Sequence, residues 1–274
     1  MTKIIDITGI MQEGMWNYEP PFPKFKVKSL PEVSWVDKDV FCEIFEGMHS
    51  QTGTYLETPA HYYGNNKSYL LIDVPVEKLV DIDCVVLNVE PKNPENKPGR
   101  VPITVEDLEK CSNVNCIKEG DAILVGSGWG KYWLDEGYLL NSPYFTYDAM
   151  MWLIDKKPFI LGSDFARWEN LEKPEGFFSE FYAANILMIG PCIDLEKVTK
   201  PRVKMTVLPL KISGRSAPHA GLLLWKTEER YIPYRFSKFS YSSISCAAGN
   251  QFIIYLHPIP IPDIILLLTG HYKI

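Results

Sequence analysis

Side chains that could do acid–base or ligand chemistry cluster near residue 55 of this 274-residue chain. They lie in the stretch HSQTGTYLETPAH, residues 49–61, and are His49, Gln51, Tyr55, Glu57 and His61. The stretch up to Glu57 resembles a β-strand, in which alternate side chains share one face. Thr58 and Pro59 then turn the chain, so His61 follows within reach. One face is therefore predicted to present an imidazole, an amide, a phenol and a carboxylate, with a second imidazole at the turn.

This set of groups can bind an oxygen-rich ligand, and a neutral histidine can transfer a proton near pH 7. An amide or a phenol can donate hydrogen bonds to an oxyanion that develops during a reaction. Two other interpretations stay open on the residues alone. The polar face could simply be solvated at the edge of a sheet, and the histidines could be structural residues with satisfied hydrogen bonds.

The elements that must position these groups are mostly short strands. Apolar or β-branched runs predict strands at 3–8, 41–48, 51–57, 83–89, 120–128, 158–164, 184–193 and 203–212. Thr104 and Thr146 are placed to cap two helices. The Pro- and aromatic-rich stretch after the first strand predicts irregular loop. Many strands with few helices indicate a mixed α/β domain around a large sheet or barrel.

The composition sets limits on location and partners. Hydrophobic residues make up 46% and charged residues 23%, as in soluble globular proteins. The net charge of −6 argues against a nucleic-acid partner. No apolar run is long enough to span a bilayer, and the N-terminus lacks the pattern of a signal peptide, so a cytoplasmic location is expected. The six cysteines have no zinc or redox spacing and are expected to be reduced.

Several motifs, in the right order, resemble those of the cyclase family, which includes bacterial kynurenine formamidase and isatin hydrolase. QTGTYLETPAH is similar to the family signature HxGTHxDxPxH. Four other stretches resemble further family motifs: IIDITGIMQEGMWNYEP, GDAILVGSGWGKYW, SPYFTYDAMMWLIDKKPFILGSDF and LPLKISGRSAPHA. The resemblance implies the cyclase-type swivelling β/β/α fold, with a central mixed sheet or barrel and a few flanking helices. It supports a cyclase-like domain over 1–225 and leaves open how a C-terminal extension, 226–274, folds.

In that family the first two His and the Asp of the signature hold a divalent metal, and the last His shuttles protons beside the reacting carbonyl. Aligned residue by residue, these positions fall on Gln51, Tyr55, Glu57 and His61, so only the last is unchanged. Imidazole suits Zn or Mn better than an amide or a phenol does. The altered signature therefore leaves one divalent metal at most, Zn or Mn, held by Glu57 and His61 with Gln51 or His49. His49 is a candidate because it lies two residues before Gln51 on the same predicted face. A site without metal stays open.

The sequence predicts a hydrolase of a small amide, formamide or lactone, similar to an arylformamidase. The predicted catalytic residues are His61, Glu57 and Tyr55, and the predicted substrate-binding residues are Gln51, Trp16 and Asp164. The alternative is a non-catalytic protein that binds a small molecule on the same scaffold. The family resemblance also implies a homodimer or homotetramer, and no membrane or nucleic-acid partner is expected.

Overall fold

Twelve β-strands and four helices form in the part of the chain that the computed structural model describes, residues 4–30, 42–217 and 219–225. The strands are β1 (Ile4–Asp6), β2 (Lys26–Ser29), β3 (Glu43–Glu46), β4 (Tyr55–Glu57), β5 (Ile82–Asn88), β6 (Pro102–Ile103), β7 (Ala122–Gly126), β8 (Tyr144–Phe145), β9 (Ile160–Ser163), β10 (Leu187–Gly190), β11 (Val203–Pro209) and β12 (Ala220–Trp225). The helices are α1 (Ala60–Tyr63), α2 (Val105–Glu109), α3 (Tyr147–Asp155) and α4 (Phe178–Ala183).

Eight of these strands form one mixed sheet, in the order β1-β12-β11-β5-β7-β9-β10-β4. The four central strands, β5, β7, β9 and β10, run parallel, and the outer strands join them antiparallel. An isolated antiparallel bridge links Tyr55, in β4, to His219, just before β12. Since β4 ends the sheet at one side and β12 lies near its other side, the sheet curls until these strands approach each other.

The central strands are apolar on both faces because both faces are covered, as parallel sheets require. Along β5, Val85 and Leu87 face a cluster rich in aromatic side chains, while Cys84 and Val86 face a second, mainly aliphatic cluster. The site described below lies on the aromatic side. Two small sheets flank this core, β2 with β3 antiparallel and β6 with β8 parallel.

The two predicted helix caps are confirmed. The Thr104 side chain accepts a hydrogen bond from the backbone of Asp107, whose carboxylate in turn accepts from the Thr104 backbone. The Thr146 side chain accepts from the backbone of Ala149 at the start of α3. Each cap satisfies backbone N–H groups that have no partner inside the helix.

The predicted α/β fold of the cyclase type, with a central mixed sheet and few helices, is confirmed. The predicted strand over 51–57 is too long, because residues 49–54 form turns and only β4 is extended. Strand β2 was expected to be loop. The described residues contain no helix that is long and apolar enough to cross a membrane. The predicted extension, 226–274, lies outside the described residues, so that division stays a prediction.

Candidate active site

Strand β4 and helix α1 position three of the predicted site residues. β4 pairs with β10, with Tyr55 opposite Gly190 and Glu57 opposite Met188. Leu56 points into the aliphatic core, so Tyr55 and Glu57 share the opposite face, where both are buried. Helix α1 then brings His61 back over this face, one helical turn after Glu57.

Gln51, Glu57 and His61 meet in one polar cluster. The side-chain amide of Gln51 donates to Glu57, with 2.7 Å between Nε2 and Oε1. The His61 Nε2 atom lies 3.6 Å from the same carboxylate oxygen and 3.5 Å from Gln51 Nε2. Glu57 is 1% exposed, whereas the His61 side chain is 36% exposed. The cluster therefore has a buried carboxylate behind an imidazole that solvent can reach.

Tyr182, from helix α4, completes the surroundings of the carboxylate and was not predicted from the sequence. Its hydroxyl donates to Glu57, with 2.9 Å between the phenol oxygen and Oε2. The ring of Tyr62, in α1, stacks on Tyr182 with centroids 5.3 Å apart. The sequence contains only a weak indication that Tyr182 belongs to the site. It lies in FFSEFYAAN, the stretch in which the family resemblance implies a metal-binding histidine, and this stretch contains none. Glu180, the nearby carboxylate on the same helix, is exposed.

The environment of Glu57 changes its acidity. Burial raises the pKa of the Glu57 carboxyl above its ordinary value. The charge of His61 and the hydrogen bonds from Tyr182 and Gln51 act in the opposite direction, because they favour the ionised form. The carboxylate is thus held by three neighbours that all stabilise its negative charge.

The hydroxyl of Tyr55 contacts Tyr18 rather than the Glu57 carboxylate. The two hydroxyl oxygens are 3.2 Å apart, and Tyr18 also lies 3.2 Å from the backbone oxygen of Ala166, which can only accept. The proton of Tyr18 therefore goes to Ala166, and the proton of Tyr55 goes to Tyr18. Burial is the main reason that the pKa of Tyr18 rises to about 12 and that the pKa of Tyr55 lies well above its usual value. Both phenols stay protonated, and Tyr55 has no proton left for a substrate.

His49 does not share the face of β4, contrary to the prediction. Its backbone closes a turn with Thr52, and both hydrogen bonds of this turn are 2.9 Å long. The Nδ1 atom of its ring accepts from the backbone of Gln51, and Nε2 lies 3.2 Å from the side-chain oxygen of Asn17. Burial lowers the pKa of this imidazole. Both ring nitrogens already have partners, so His49 does not complete a metal site with Glu57.

Two further predicted residues lie outside the Glu57 cluster. Trp16 is buried among aromatic rings, edge-on to Tyr18 with centroids 5.5 Å apart. The buried carboxylate of Asp164 accepts from the backbone of Ser127 and Trp129, at 2.9 and 2.8 Å, and from the Ser127 hydroxyl at 2.7 Å. These hydrogen bonds tie Asp164 to the loop after β7. Its predicted contact with substrate stays a prediction.

The donor set does not fit a divalent metal. The aligned ligand positions supply one carboxylate, one amide and one protonated phenol, and Tyr55 turns its hydroxyl to Tyr18. The Gln51 amide directs hydrogen atoms at the carboxylate, where a metal ligand would direct an oxygen lone pair. No group of three His, Cys, Asp or Glu side chains able to hold a metal occurs among the described residues.

A model of the Cyclase family matches residues 5–170, which is more than half of the chain. The chain belongs to the Cyclase family. It is a divergent member with an altered metal-ligand motif, since Gln51 and Tyr55 stand where the signature has histidine. No curated protein sequence matches the chain significantly.

Solved structures share the fold of this family member. Isatin hydrolase A from Ralstonia solanacearum superposes with a TM-score of 0.68 at 18% identity, covering 82% of this chain and 92% of that chain. Isatin hydrolase A from Labrenzia aggregata gives 0.68 at 17% identity, covering 83% and 94%. A structure described as a predicted metal-dependent hydrolase from Bacillus stearothermophilus gives 0.63 at 22% identity, covering 82% and 98%. At these identities the likeness concerns the fold.

Proposed function

We propose that this protein hydrolyses a small amide, formamide or lactone through Glu57, His61 and Gln51, without a bound metal. One observation carries the proposal: an accessible imidazole lies 3.6 Å from a buried carboxylate that two neutral donors hold in place. An imidazole backed by a carboxylate is a recurrent general base, since the carboxylate stabilises the imidazolium that forms. Gln51 and Glu57 align with two of the metal-ligand positions of the family signature, and His61 aligns with its proton-shuttling histidine.

The distance between His61 and Glu57 is too long for a direct hydrogen bond, but it leaves room for a shared water molecule. In the proposed reaction, His61 Nε2 takes a proton from this water while the water oxygen bonds to the substrate carbonyl carbon. The carbonyl π electrons move onto its oxygen. The bond to the leaving nitrogen or oxygen then breaks, and the imidazolium returns the proton to that atom. One water is consumed, and an acid and an amine or alcohol are formed.

Gln51 is the proposed donor to the oxyanion. Its amide nitrogen carries two hydrogens, and one is committed to Glu57. The other is held only weakly, since its nearest partner, His61 Nε2, is 3.5 Å away. Tyr55 was predicted to share this role, but its hydroxyl proton goes to Tyr18. We therefore assign Tyr55 to the wall of the pocket.

The structural neighbours support hydrolysis as the reaction class. Several are isatin hydrolases, one is described as a predicted metal-dependent hydrolase, and another as a potential metal-dependent hydrolase with cyclase activity. Because their sequence identity to this chain is low, neither their substrate nor their metal can be assigned to it. The arylformamidase-like activity remains our proposal on the basis of the altered signature and the Glu57 cluster.

The test is turnover of a panel of aryl formamides, simple amides and lactones by wild type, Glu57→Gln and His61→Ala. Loss of a general base or of its carboxylate costs about 100-fold or more, so both variants should lose at least that much activity. Glu180→Gln is the matched control, because it removes an exposed carboxylate from the neighbouring helix α4. Equal turnover in wild type and both site variants would contradict the proposal.

A second candidate function is supported by the same hydrogen bonds. Gln51 and Tyr182 satisfy both oxygens of Glu57, so the carboxylate could also serve only to keep the pocket rigid. The protein would then bind a small molecule without changing it. Tight binding with the ligand recovered intact, and no turnover of any panel compound, would favour this function over hydrolysis.

A further inference from the structure

Two buried polar side chains have no hydrogen-bond partner within the described residues, and each lies next to one phenol of the Tyr18–Tyr55 pair. They are Trp16, through its indole Nε1, and His219, through both ring nitrogens. They are the full set of such buried side chains that the described residues contain. Buried polar groups are normally satisfied, so an exception calls for a physical reason such as a ligand or an ordered water.

His219 is placed next to Tyr55 by strand pairing. The two residues are partners in an antiparallel bridge, which puts their side chains on the same face. The bridge is held in place by its neighbours, because the backbone of Ala220 donates to Thr54 at 3.1 Å and that of Leu210 donates to His219 at 2.9 Å. His219 is only 8% exposed. Its imidazole therefore lies buried beside Tyr55.

Trp16 lies next to the other phenol of this pair, Tyr18. Its ring packs edge-on against Tyr18, which shares a hydrogen bond with Tyr55, and stacks on Tyr138 with centroids 5.5 Å apart. The indole N–H is a donor only. Trp16 thus contacts Tyr18 and His219 pairs with Tyr55, so each lies next to one member of the hydrogen-bonded phenol pair.

The charge around these groups favours a neutral ligand atom. Burial lowers the pKa of His219, the charge of His49 lowers it further, and the nearby Thr52 carbonyl opposes both effects more weakly. A neutral imidazole offers one donor and one acceptor. The negative charge of Glu57 acts on both Tyr18 and Tyr55, so an anionic ligand group there would be repelled. A carbonyl, hydroxyl or ether oxygen suits these neutral donors.

We propose that Trp16, His219 and the Tyr18–Tyr55 pair form a second subsite, which binds a neutral oxygen of the substrate away from the reacting carbonyl. This inference rests on the proposed function, since it assigns the substrate a second polar group. His219 and Trp16 are then specificity-determining residues, and Glu57 and His61 carry the chemistry. The unpaired atoms are shielded from solvent, so the proposal requires the segment between β1 and β2, which carries Trp16 and Tyr18, to open when the substrate binds.

The experiment compares wild type, His219→Phe and Trp16→Phe on formanilide and the three methoxyformanilide isomers. These substrates differ from formanilide by one neutral ether oxygen. We expect that one isomer or more has a lower KM than formanilide in wild type. Each variant should then raise that KM about tenfold, the value of one buried hydrogen bond, with a smaller effect on kcat and little effect on formanilide. His219→Gln keeps a donor and should restore part of the affinity.

Thermal stability separates the subsite from a merely structural role. Replacing an unsatisfied buried polar group by an apolar ring of similar shape is neutral or stabilising. We therefore expect the His219→Phe variant to fold. Unchanged KM values for all four compounds in both variants would overturn the subsite while leaving hydrolysis intact. If wild type turns over none of the four compounds, Kd values from calorimetry replace KM. Weaker binding in the variants would then support the subsite and contradict the proposed hydrolysis. No binding of any compound would overturn both the subsite and the proposed hydrolysis.

Discussion

At the scale of single residues, the site depends on how the buried charge of Glu57 is balanced. An isolated buried carboxylate is costly unless donors or an opposite charge compensate it. Gln51 and Tyr182 donate one hydrogen bond to each oxygen, and His61 adds positive charge whenever it is protonated. The amide of Gln51 thus helps to stabilise the negative charge of the carboxylate, as a cation does in a metal centre, but it supplies no Lewis acidity.

Replacing Tyr182 with Phe should change the pH dependence of activity. Burial raises the pKa of Glu57, and the hydrogen bond from Tyr182 partly opposes that rise. Without it, the pKa of Glu57 goes higher. Because the proposed reaction needs ionised Glu57, the acid limb of the kcat/KM profile should move to higher pH, so that the loss of activity is largest in acid and small at the plateau.

Tyr62→Phe is the control for that experiment, because Tyr62 stacks on Tyr182 but makes no hydrogen bond to Glu57. Its acid limb should coincide with that of wild type. An acid limb that stays in place in Tyr182→Phe would show that Glu57 does not need to be ionised. It would remove Glu57 from the proposed proton transfer.

The sequence predicted only the local half of this cluster. Gln51, Glu57 and His61 lie within 11 residues, so their meeting follows from a short strand and a turn. Tyr182 is 125 positions from Glu57, and His219 is 164 positions from Tyr55. Their contacts depend on how β10 and β12 approach β4, which no local pattern specifies.

At the scale of elements, the turns before β4 decide which groups face the site. Alternation in QTGTYLE predicts a strand, but Gly53 has a φ of +70°, a conformation that side chains with a Cβ rarely adopt. A Cβ there would also lie 3.1 Å from the Met11 side chain. The chain therefore folds back on itself at 49–54, which sends the Gln51 amide to Glu57 and leaves His49 with Asn17.

Asp164 connects two further elements, because the carboxylate after β9 holds the loop after β7. Burial raises its pKa from 3.8 to about 6, despite the hydrogen bonds that it accepts. The folded protein thus binds this proton more tightly than the unfolded chain does. The resulting stability is fully present below pH 3.8 and is lost as the pH rises through about 6.

Asp164→Asn, which cannot ionise, should therefore flatten the pH dependence of the free energy of unfolding. At 1.36 kcal/mol per pKa unit, the decline between pH 4 and pH 7 should be smaller than in wild type by about 2 kcal/mol. Urea unfolding at several pH values measures both profiles. At any single pH, the free energy of unfolding of Asp164→Asn will also differ from that of wild type for another reason. The asparagine side chain carries an NH₂ donor where Asp164 has an acceptor oxygen. Parallel profiles would contradict the assigned shift.

At the scale of the whole molecule, the fold was largely predictable and the assembly was not. Apolar runs such as DCVVLNV and AILVG mark the central strands because both sheet faces are covered, and Thr104 and Thr146 mark helix starts. Strand β2, KVKS, has no buried residue, so its sequence lacks the alternation of apolar and polar residues that predicts a strand. The expected homodimer or homotetramer stays a prediction, which light scattering of the full chain would test.

We propose that this family member hydrolyses its substrate through side chains, whereas two of its structural neighbours are described as metal-dependent hydrolases. The most direct measurement combines elemental analysis of the full chain, purified without chelator, with turnover before and after exhaustive chelation. We expect no stoichiometric metal and no change in turnover on chelation, with turnover lost in Glu57→Gln. About one Zn or Mn per chain, removed by chelation together with the activity and missing from Glu57→Ala, would contradict it.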